Sequence, residues 1–378
     1  VLVGQAWGAQ NLEKVRQVVG STLFMTVIGG TVIAFLGVLS ARSVLLALGT
    51  DPDVMHLSLP YVQWMLAGSP LLFIYIIYTS ILRGVGDSIT PLIALGMTSI
   101  LGLFITPVLI AGHFGFPRLG IIGPAIATTI GYLAVLIFLY FYLKKKDHPL
   151  KIDGAMCKYI KYDPEISAKI LKLGVPTGIQ MVTTSVAGLV IVGLVNRYGS
   201  DATAAYGAVN QVLNYIQFPA LSIAIAASIF AAQAIGAGKA DSLAKVTRIS
   251  LGMNIVITGS LVTLGYLFSK YLMALFITDP AVVVLGQQLL FIVLWSILFF
   301  GASAIFASIM RASGTVTMPM IINIIAILAI ELPAAYLFSS WWGLQGIWYG
   351  YALAFVCLCI MQGLYYQFVW KKKAVKVL

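Results

Sequence analysis

The sequence predicts an all-α polytopic membrane protein built from two parallel helical repeats, and three observations carry that reading. The first is composition: 60% of the 378 residues are hydrophobic and only 9% charged, with a mean hydropathy of +1.00. A soluble chain carries about 25% charged residues. The second is a succession of charge-free runs, such as Leu92–Ile110 and Ile255–Phe268, separated by short breaks. About 20 apolar residues span a bilayer as a helix, and only helices or closed barrels satisfy the backbone there. These runs are too long and continuous for the alternating strands of roughly 10 residues that build a barrel. The third is an internal repeat at an offset of 228 residues. Gln5-Ala6-Trp7-Gly8-Ala9 returns as Gln233-Ala234-Ile235-Gly236-Ala237, and Leu36-Gly37 as Leu264-Gly265. Thr50-Asp51-Pro52 returns as Thr278-Asp279-Pro280, and Arg83, Gly86 and Pro91 as Arg311, Gly314 and Pro319. A repeat dictates architecture before any local assignment does.

Ten spans follow, bounded by turn-forming Gly, Pro, Asp and Lys. Span 18–48 closes at the Thr50-Asp51-Pro52 turn, and 56–82 runs from there to Arg83. Span 91–112 opens on Pro91, and 118–143 ends at three consecutive lysines. Span 170–196 follows a lysine-rich stretch, and 203–233 ends before Gly236 and Gly238. Spans 246–276, 284–310, 318–341 and 345–370 repeat the first four. Pro219 and Pro333 fall inside spans and should kink them.

Alternate loops differ sharply in basic residues. One set comprises the segment to residue 17, the loops near 83–90, 144–172, 236–248 and 311–317, and the C-terminal tail with Lys371, Lys372, Lys373 and Lys376. It holds 19 of the 23 Lys and Arg residues; Arg42, Arg118, Arg197 and Lys270 make up the rest. The positive-inside rule places the rich set in the cytoplasm. The net charge of +11 is then topology signalling and calls for no nucleic acid. Cys157, Cys357 and Cys359 have neither disulfide-framework nor zinc-type spacing.

An offset spanning six helices relates the halves by an axis along the membrane normal. Spans 170–196 and 203–233 have no partner in the repeat, so a parent of twelve helices is expected, with two preceding Val1. The expected domains are an incomplete four-helix N-terminal bundle at 1–143, a cytoplasmic linker at 144–169 and a six-helix bundle at 170–378.

Such a twelve-helix pair of repeats resembles the multidrug and toxic compound extrusion (MATE) transporters. So do the Gln-x-x-Gly-Ala turns at Gln5 and Gln233, the Arg83–Pro91 loop (Arg-Gly-x-Gly-Asp-x-x-x-Pro) and Leu173-Gly174-Val175-Pro176. The resemblance covers essentially the whole chain. It implies a V-shaped pair of lobes around a central cavity and an antiporter that exports organic, often cationic or amphipathic, compounds in exchange for protons or sodium. It implies no cofactor beyond that coupling ion. The expected partners are a small organic molecule and the lipid bilayer, with no nucleic acid, and the chain is read as monomeric. The expected location is the plasma membrane, multi-pass, with the linker and C-terminus cytoplasmic. Many members carry a coupling aspartate on their first helix, which this chain lacks. One branch has acidic residues where this chain has Thr184 and Phe300, which argues against that sodium-coupled branch.

The residues themselves offer another candidate for coupling. Eleven of the twelve acidic residues lie in or beside loops; Glu331 alone sits deep in an apolar run. A carboxylate there is costly and is by default a functional-site hypothesis, here as a proton carrier. At the repeat offset the first half has Leu103, or Ile105 if Pro107 is matched to Pro333, so the acid is asymmetric. The bland alternative is a structural Glu satisfied by a neighbouring hydroxyl or amide. Polar stripes are the second candidate: Thr177, Gln180 and Thr184 on one helix, Tyr206, Asn210, Asn214 and Gln217 on the next, with Asn323 ahead of Glu331. Such stripes line a wet cavity or act as interhelical glue worth about 0.6 kcal/mol per bond. Gly84-Val85-Gly86-Asp87 matches an intramembrane aspartyl-protease signature but lacks a second intramembrane aspartate. No phosphate-binding Gly-x-x-x-x-Gly-Lys-Ser/Thr loop is present. A lipid or lipid-linked oligosaccharide flippase is the alternative function, weakened by the absence of mid-span Lys or Arg. A membrane-embedded enzyme is less favoured still, since no paired catalytic constellation occurs.

Overall fold

The computed structural model describes residues 1–372; Lys373 and Lys376, counted above in the basic tail, lie outside the described residues. Within these the protein is helical throughout. The elements are α1 Leu2–Gly8, α2 Leu12–Ala47, α3 Pro52–Gly84, α4 Ile89–Ala111, α5 Gly123–Lys145, α6 Gly154–Cys157, α7 Pro164–Val195 and α8 Ser200–Gly236. They continue as α9 Leu243–Met253, α10 Gly259–Leu267, α11 Ser269–Ala274, α12 Pro280–Val293, α13 Ile297–Ala312, α14 Thr317–Ile325, α15 Leu332–Trp342 and α16 Leu344–Leu364. Three π-helical segments, Asn254–Thr258, Ala326–Glu331 and Tyr365–Val369, join or extend these helices.

Among the described residues, ten helices are long and apolar enough to cross a membrane, from Leu12–Ala47 to Leu344–Lys372. They correspond in order to the ten spans of the sequence. The largest boundary difference is at the span expected over 246–276, which ends at Leu267. Phe268 leaves the helical region (φ −106°, ψ 13°), and a short helix resumes at Ser269. The Ser269 hydroxyl holds the break, donating to the Tyr266 carbonyl (3.1 Å) and accepting from Gln287 Nε2 (2.8 Å). Pro219 lies within the continuous α8. Ahead of Pro333 the helix widens into the Ala326–Glu331 π-segment. The pyrrolidine ring removes a donor and crowds the preceding turn, which a wider turn relieves.

The repeat is visible in local geometry. Asp51 and Asp279 both cap helices that begin with proline, accepting from the amides of Asp53 (3.1 Å) and Ala281 (2.8 Å). Arg83 and Arg311 each donate to the serine three residues earlier, at 2.9 and 3.0 Å. Gly86 and Gly314, with φ of 95° and 86°, turn the chain after each arginine. The Gln-x-x-Gly pattern at Gln5 is the last turn of a helix, as it is at Gln233, rather than part of a loop.

Contacts divide the chain into two compact units, Gln10–Ile170 and Val1–Ala9 with the chain from Leu171 onward. The short α1 therefore packs with the second unit, although the sequence reading puts residues 1–143 in one bundle. The reason is a reciprocal close approach: a Cβ on Gly8 would lie 2.1 Å from the Gln233 carbonyl oxygen, and one on Gly236 1.9 Å from that of Gln5. Glycine there allows two backbones to touch, as in other lipid-embedded helix crossings. Gln5 Nε2 then donates to the Ala312 carbonyl (2.8 Å).

In the unit Gln10–Ile170, small residues allow close packing: Gly68 of α3 faces Thr129 of α5, and Gly20 of α2 abuts the carbonyl of Tyr159, in the segment after α6. The segment 144–169 packs within it. Leu150 and Met156 are fully buried, and Tyr78 donates to the Leu150 carbonyl (2.8 Å). Beside them, His148 Nε2 lies 3.7 Å from Asp87 Oδ2, and His148 Nδ1 accepts from the Leu150 amide (3.2 Å). Burial pushes the Asp87 carboxyl up, but hydrogen bonds from the Thr90 hydroxyl and amide, with Lys146 and His148 nearby, hold it below its ordinary value. Burial, reinforced by Lys146 and opposed by Asp87, holds His148 below its ordinary 6.5. The unfolded segment therefore takes up the His148 proton first. Its stabilising contribution is complete above pH 6.5 and is lost as pH falls through that value toward the lower folded one. The Asp87 contribution is lost only in stronger acid. Amide protection factors at 148–160, with the intrinsic exchange rate divided out at each pH, are expected to fall as pH drops through 6.5. His148→Gln should flatten that response; protection factors insensitive to the substitution would refute it.

Candidate functional site

Glu331 ends the π-segment between α14 and α15, with 9% of its surface exposed. π-turns inside α-helices occur frequently at functional sites because the extra residue alters which side chains share a face. Asn323 and Glu331 are eight residues apart, about 80° off register on a regular helix. The added residue brings that spacing nearer to two full turns. Among the described residues, no hydrogen bond or ion pair reaches the Glu331 carboxylate. An ionised carboxylate in apolar surroundings without a partner is costly.

Near it stands an aromatic cluster. The Tyr351 hydroxyl on α16 lies close enough to Glu331 for their charges to interact and is 3.3 Å from the Tyr206 hydroxyl on α8. Trp348 is fully buried and its ring packs 5.4 Å from that of Tyr206 and 5.5 Å from that of Tyr351. Phe355 continues the cluster, 6.3 Å from Tyr351 and 5.2 Å from Phe300. The cluster rests on a core in which Ile191, Leu194 and Val195 of α7 meet Ala202, Ala335 and Ile347. Three helices thus hold a carboxyl group, two hydroxyls and a set of ring faces together.

The structure brings some of the sequence candidates to this place and leaves others apart. Tyr206 joins the site directly, and Asn210 one turn on donates to the Tyr206 carbonyl (3.0 Å). Asn323 is half-buried; its Oδ1 is enclosed and has no partner among the described residues. Gln217 is half-buried and Asn214 exposed on the same helix. On α7, Thr177 and Thr184 donate to the carbonyls four residues before them, at 3.1 and 3.0 Å. Gln180 lies between them, half-buried. Among the described residues these hydroxyls hydrogen-bond only within their own helix.

Tyr351 and Trp348 were not legible as site residues, since Trp348-Tyr349-Gly350-Tyr351 reads like an aromatic belt near Trp341 and Trp342. Asn254 is a second omission. Buried at the start of a π-segment, it donates to the Leu298 carbonyl (3.0 Å) and accepts from the Thr258 hydroxyl (3.0 Å). Its signal was available: it is a lone amide at the head of the charge-free run Ile255–Phe268.

A family model described as MatE matches residues 1–108 and 176–337. The chain is 44% identical over 378 residues to the probable multidrug resistance protein YoeA of Bacillus subtilis, covering 99% of this chain and 81% of that one. It is 30% identical to the probable multidrug resistance protein YpnP of the same organism, over 98% of this chain and 81% of that one. Its fold matches a crystal structure of the Vibrio cholerae MATE transporter VcmN with a TM-score of 0.88 and 21% identity, covering 99% of this chain and 83% of that one. Repeat, ten spanning helices and these likenesses agree: the chain belongs to the MatE family of multidrug and toxic compound extrusion transporters.

Proposed function

We propose that this protein is a secondary active antiporter that exports small organic compounds, amphipathic or cationic, in exchange for protons, with Glu331 as the proton carrier. The observation that carries the reading is the buried Glu331 on a π-turn, without a hydrogen-bond or ion-pair partner among the described residues and near Tyr351, whose hydroxyl lies beside that of Tyr206. A carboxyl group that changes charge there changes the electrostatic field at the Tyr351 hydroxyl. The π-segment is a place where the span can readjust its pitch in response. Tyr206 and Tyr351 offer ring faces to an organic cation, worth about 0.5–2 kcal/mol each depending on desolvation. Relatives named as multidrug resistance proteins support the substrate class. The basic loops, the linker 144–169 and the C-terminus then face the cytoplasm.

The test is dye efflux from proteoliposomes under imposed gradients, using the complete reading frame. A pH gradient is expected to drive dye movement and a sodium gradient at equal pH is not. Efflux driven by sodium alone would replace the proton with sodium as the coupling ion, and movement indifferent to both would end the antiport reading.

A further inference from the structure

We propose that a groove between α9 and the end of α16 with its extension through Lys372 holds one anionic phospholipid of the cytoplasmic leaflet. The groove has a volume of about 690 Å³, within the range of pockets that bind discrete molecules. Two helix faces form its walls. On one side Arg248, Leu251, Gly252 and Ile255 recur at helical spacing; on the other, Gly363, Gln367 and Lys371 lie four residues apart. The helices run in opposite directions, so both cations stand at the same end and both walls turn apolar away from it. Phe306 lines the groove between them, its ring 5.2 Å from that of Tyr366. A Thr247–Tyr366 hydrogen bond (2.6 Å) ties the walls together.

Charge and depth select the occupant. No Asp or Glu lines the groove, and among the described residues Arg248 takes part in no ion pair. Lys371 is steadied by Gln367 Oε1 (3.1 Å) and lies 5.9 Å over the Tyr366 ring, which leaves its charge free for an anion. Ile255 sits seven residues beyond Arg248, about 10 Å deeper at 1.5 Å per residue. That is a large part of one leaflet's hydrocarbon depth, about 15 Å. The groove stays open because its walls carry glycines: a Cβ on Gly252 would meet nothing within 4 Å, and one on Gly363 only the Phe306 ring at 3.4 Å. A soluble phosphate would leave the apolar length unused, and an apolar helix would leave two cations unanswered. A phosphate headgroup with an acyl chain behind it answers both. The leaflet assignment rests on the cytoplasmic orientation proposed above; the site itself does not.

Native mass spectrometry of the purified full-length protein in detergent tests the site. Phosphatidylglycerol, phosphatidylcholine with the same acyl chains, and glycerol phosphate are titrated separately. One phosphatidylglycerol should bind about tenfold more tightly than phosphatidylcholine, and glycerol phosphate should not compete. Arg248→Gln and Lys371→Gln should each weaken phosphatidylglycerol by about fivefold and the pair by about thirtyfold, with phosphatidylcholine unchanged. Gly252→Phe should weaken both lipids by filling the groove, while Lys372→Gln, outside it, should change neither. Equal affinity for the two lipids, competition by glycerol phosphate, or an equal loss in Lys372→Gln would overturn the proposal. The leaflet is read separately: Arg248→Cys, with the three native cysteines replaced by serine, should resist an impermeant maleimide added outside intact cells. Labelling from outside would overturn the orientation and the leaflet together, whatever the detergent titration shows.

Discussion

Replacing Glu331 with glutamine should leave a folded transporter whose substrate binding no longer responds to pH. The substitution keeps shape and volume and removes the one titratable carboxyl group of the site. Because no cation or hydrogen bond holds the wild-type carboxylate among the described residues, the neutral amide leaves no opposite charge stranded. A loss of folding is therefore not expected. If proton and substrate compete through this group, wild-type affinity falls as pH falls. Coupling energies between linked sites run to about 1–3 kcal/mol, or 5–150-fold in affinity. Substrate dissociation constants across a pH series should show that span in wild type and a flat line in Glu331→Gln, with efflux at background. Tyr351→Phe should shrink the span without abolishing it, because the ring face stays and only the hydroxyl beside Tyr206 is lost. A Glu331→Gln protein that pumps with wild-type pH dependence would exclude the carboxyl group from coupling.

The second large effect is expected at the crossing of α1 and α8. A Cβ on Gly236 would stand 1.9 Å from the Gln5 carbonyl oxygen, which is backbone and has no rotamer to move into. Glycine inside a helix costs about 1 kcal/mol relative to alanine, so Gly236→Ala at an open site would stabilise. Overpacking a tight contact costs about 1–3 kcal/mol, and here both helix axes must separate. The clash should win. Gly236→Val should lower the melting temperature further, break the Gln5–Ala312 hydrogen bond and expose α1 to protease. Gly207, on the same helix with nothing within 4 Å of a Cβ, is the reference: Gly207→Ala should be neutral or stabilising. A Gly236→Ala protein as stable as Gly207→Ala would show that the crossing is looser than this geometry.

Spans were legible because membrane crossing is a local property of composition and length. Ten apolar runs and their turn residues mark ten helices with no knowledge of who packs on whom. The break at Phe268 was not legible, since Gln287 reaches Ser269 from another helix. Glu331 stood out in the sequence by the same local logic: a lone acid in hydrocarbon is costly wherever it packs. Its setting did not, because Tyr351 lies near it on a separate helix and a π-turn leaves no fixed mark in the sequence. The threonines at Thr177 and Thr184 show the converse: their spacing suggested a shared role, yet each hydroxyl is occupied by its own backbone.

By itself, then, the sequence determined the membrane class, the ten crossings, the repeat and the presence of one intramembrane acid. All four follow from solvation cost and periodicity along the chain. Only the tertiary structure decided that α1 joins the second unit, that Glu331 meets a tyrosine pair, and that Arg248 and Lys371 share the mouth of one groove. Those outcomes depend on which glycines let backbones touch and which helix faces meet across more than a hundred residues of chain, and no local pattern encodes them.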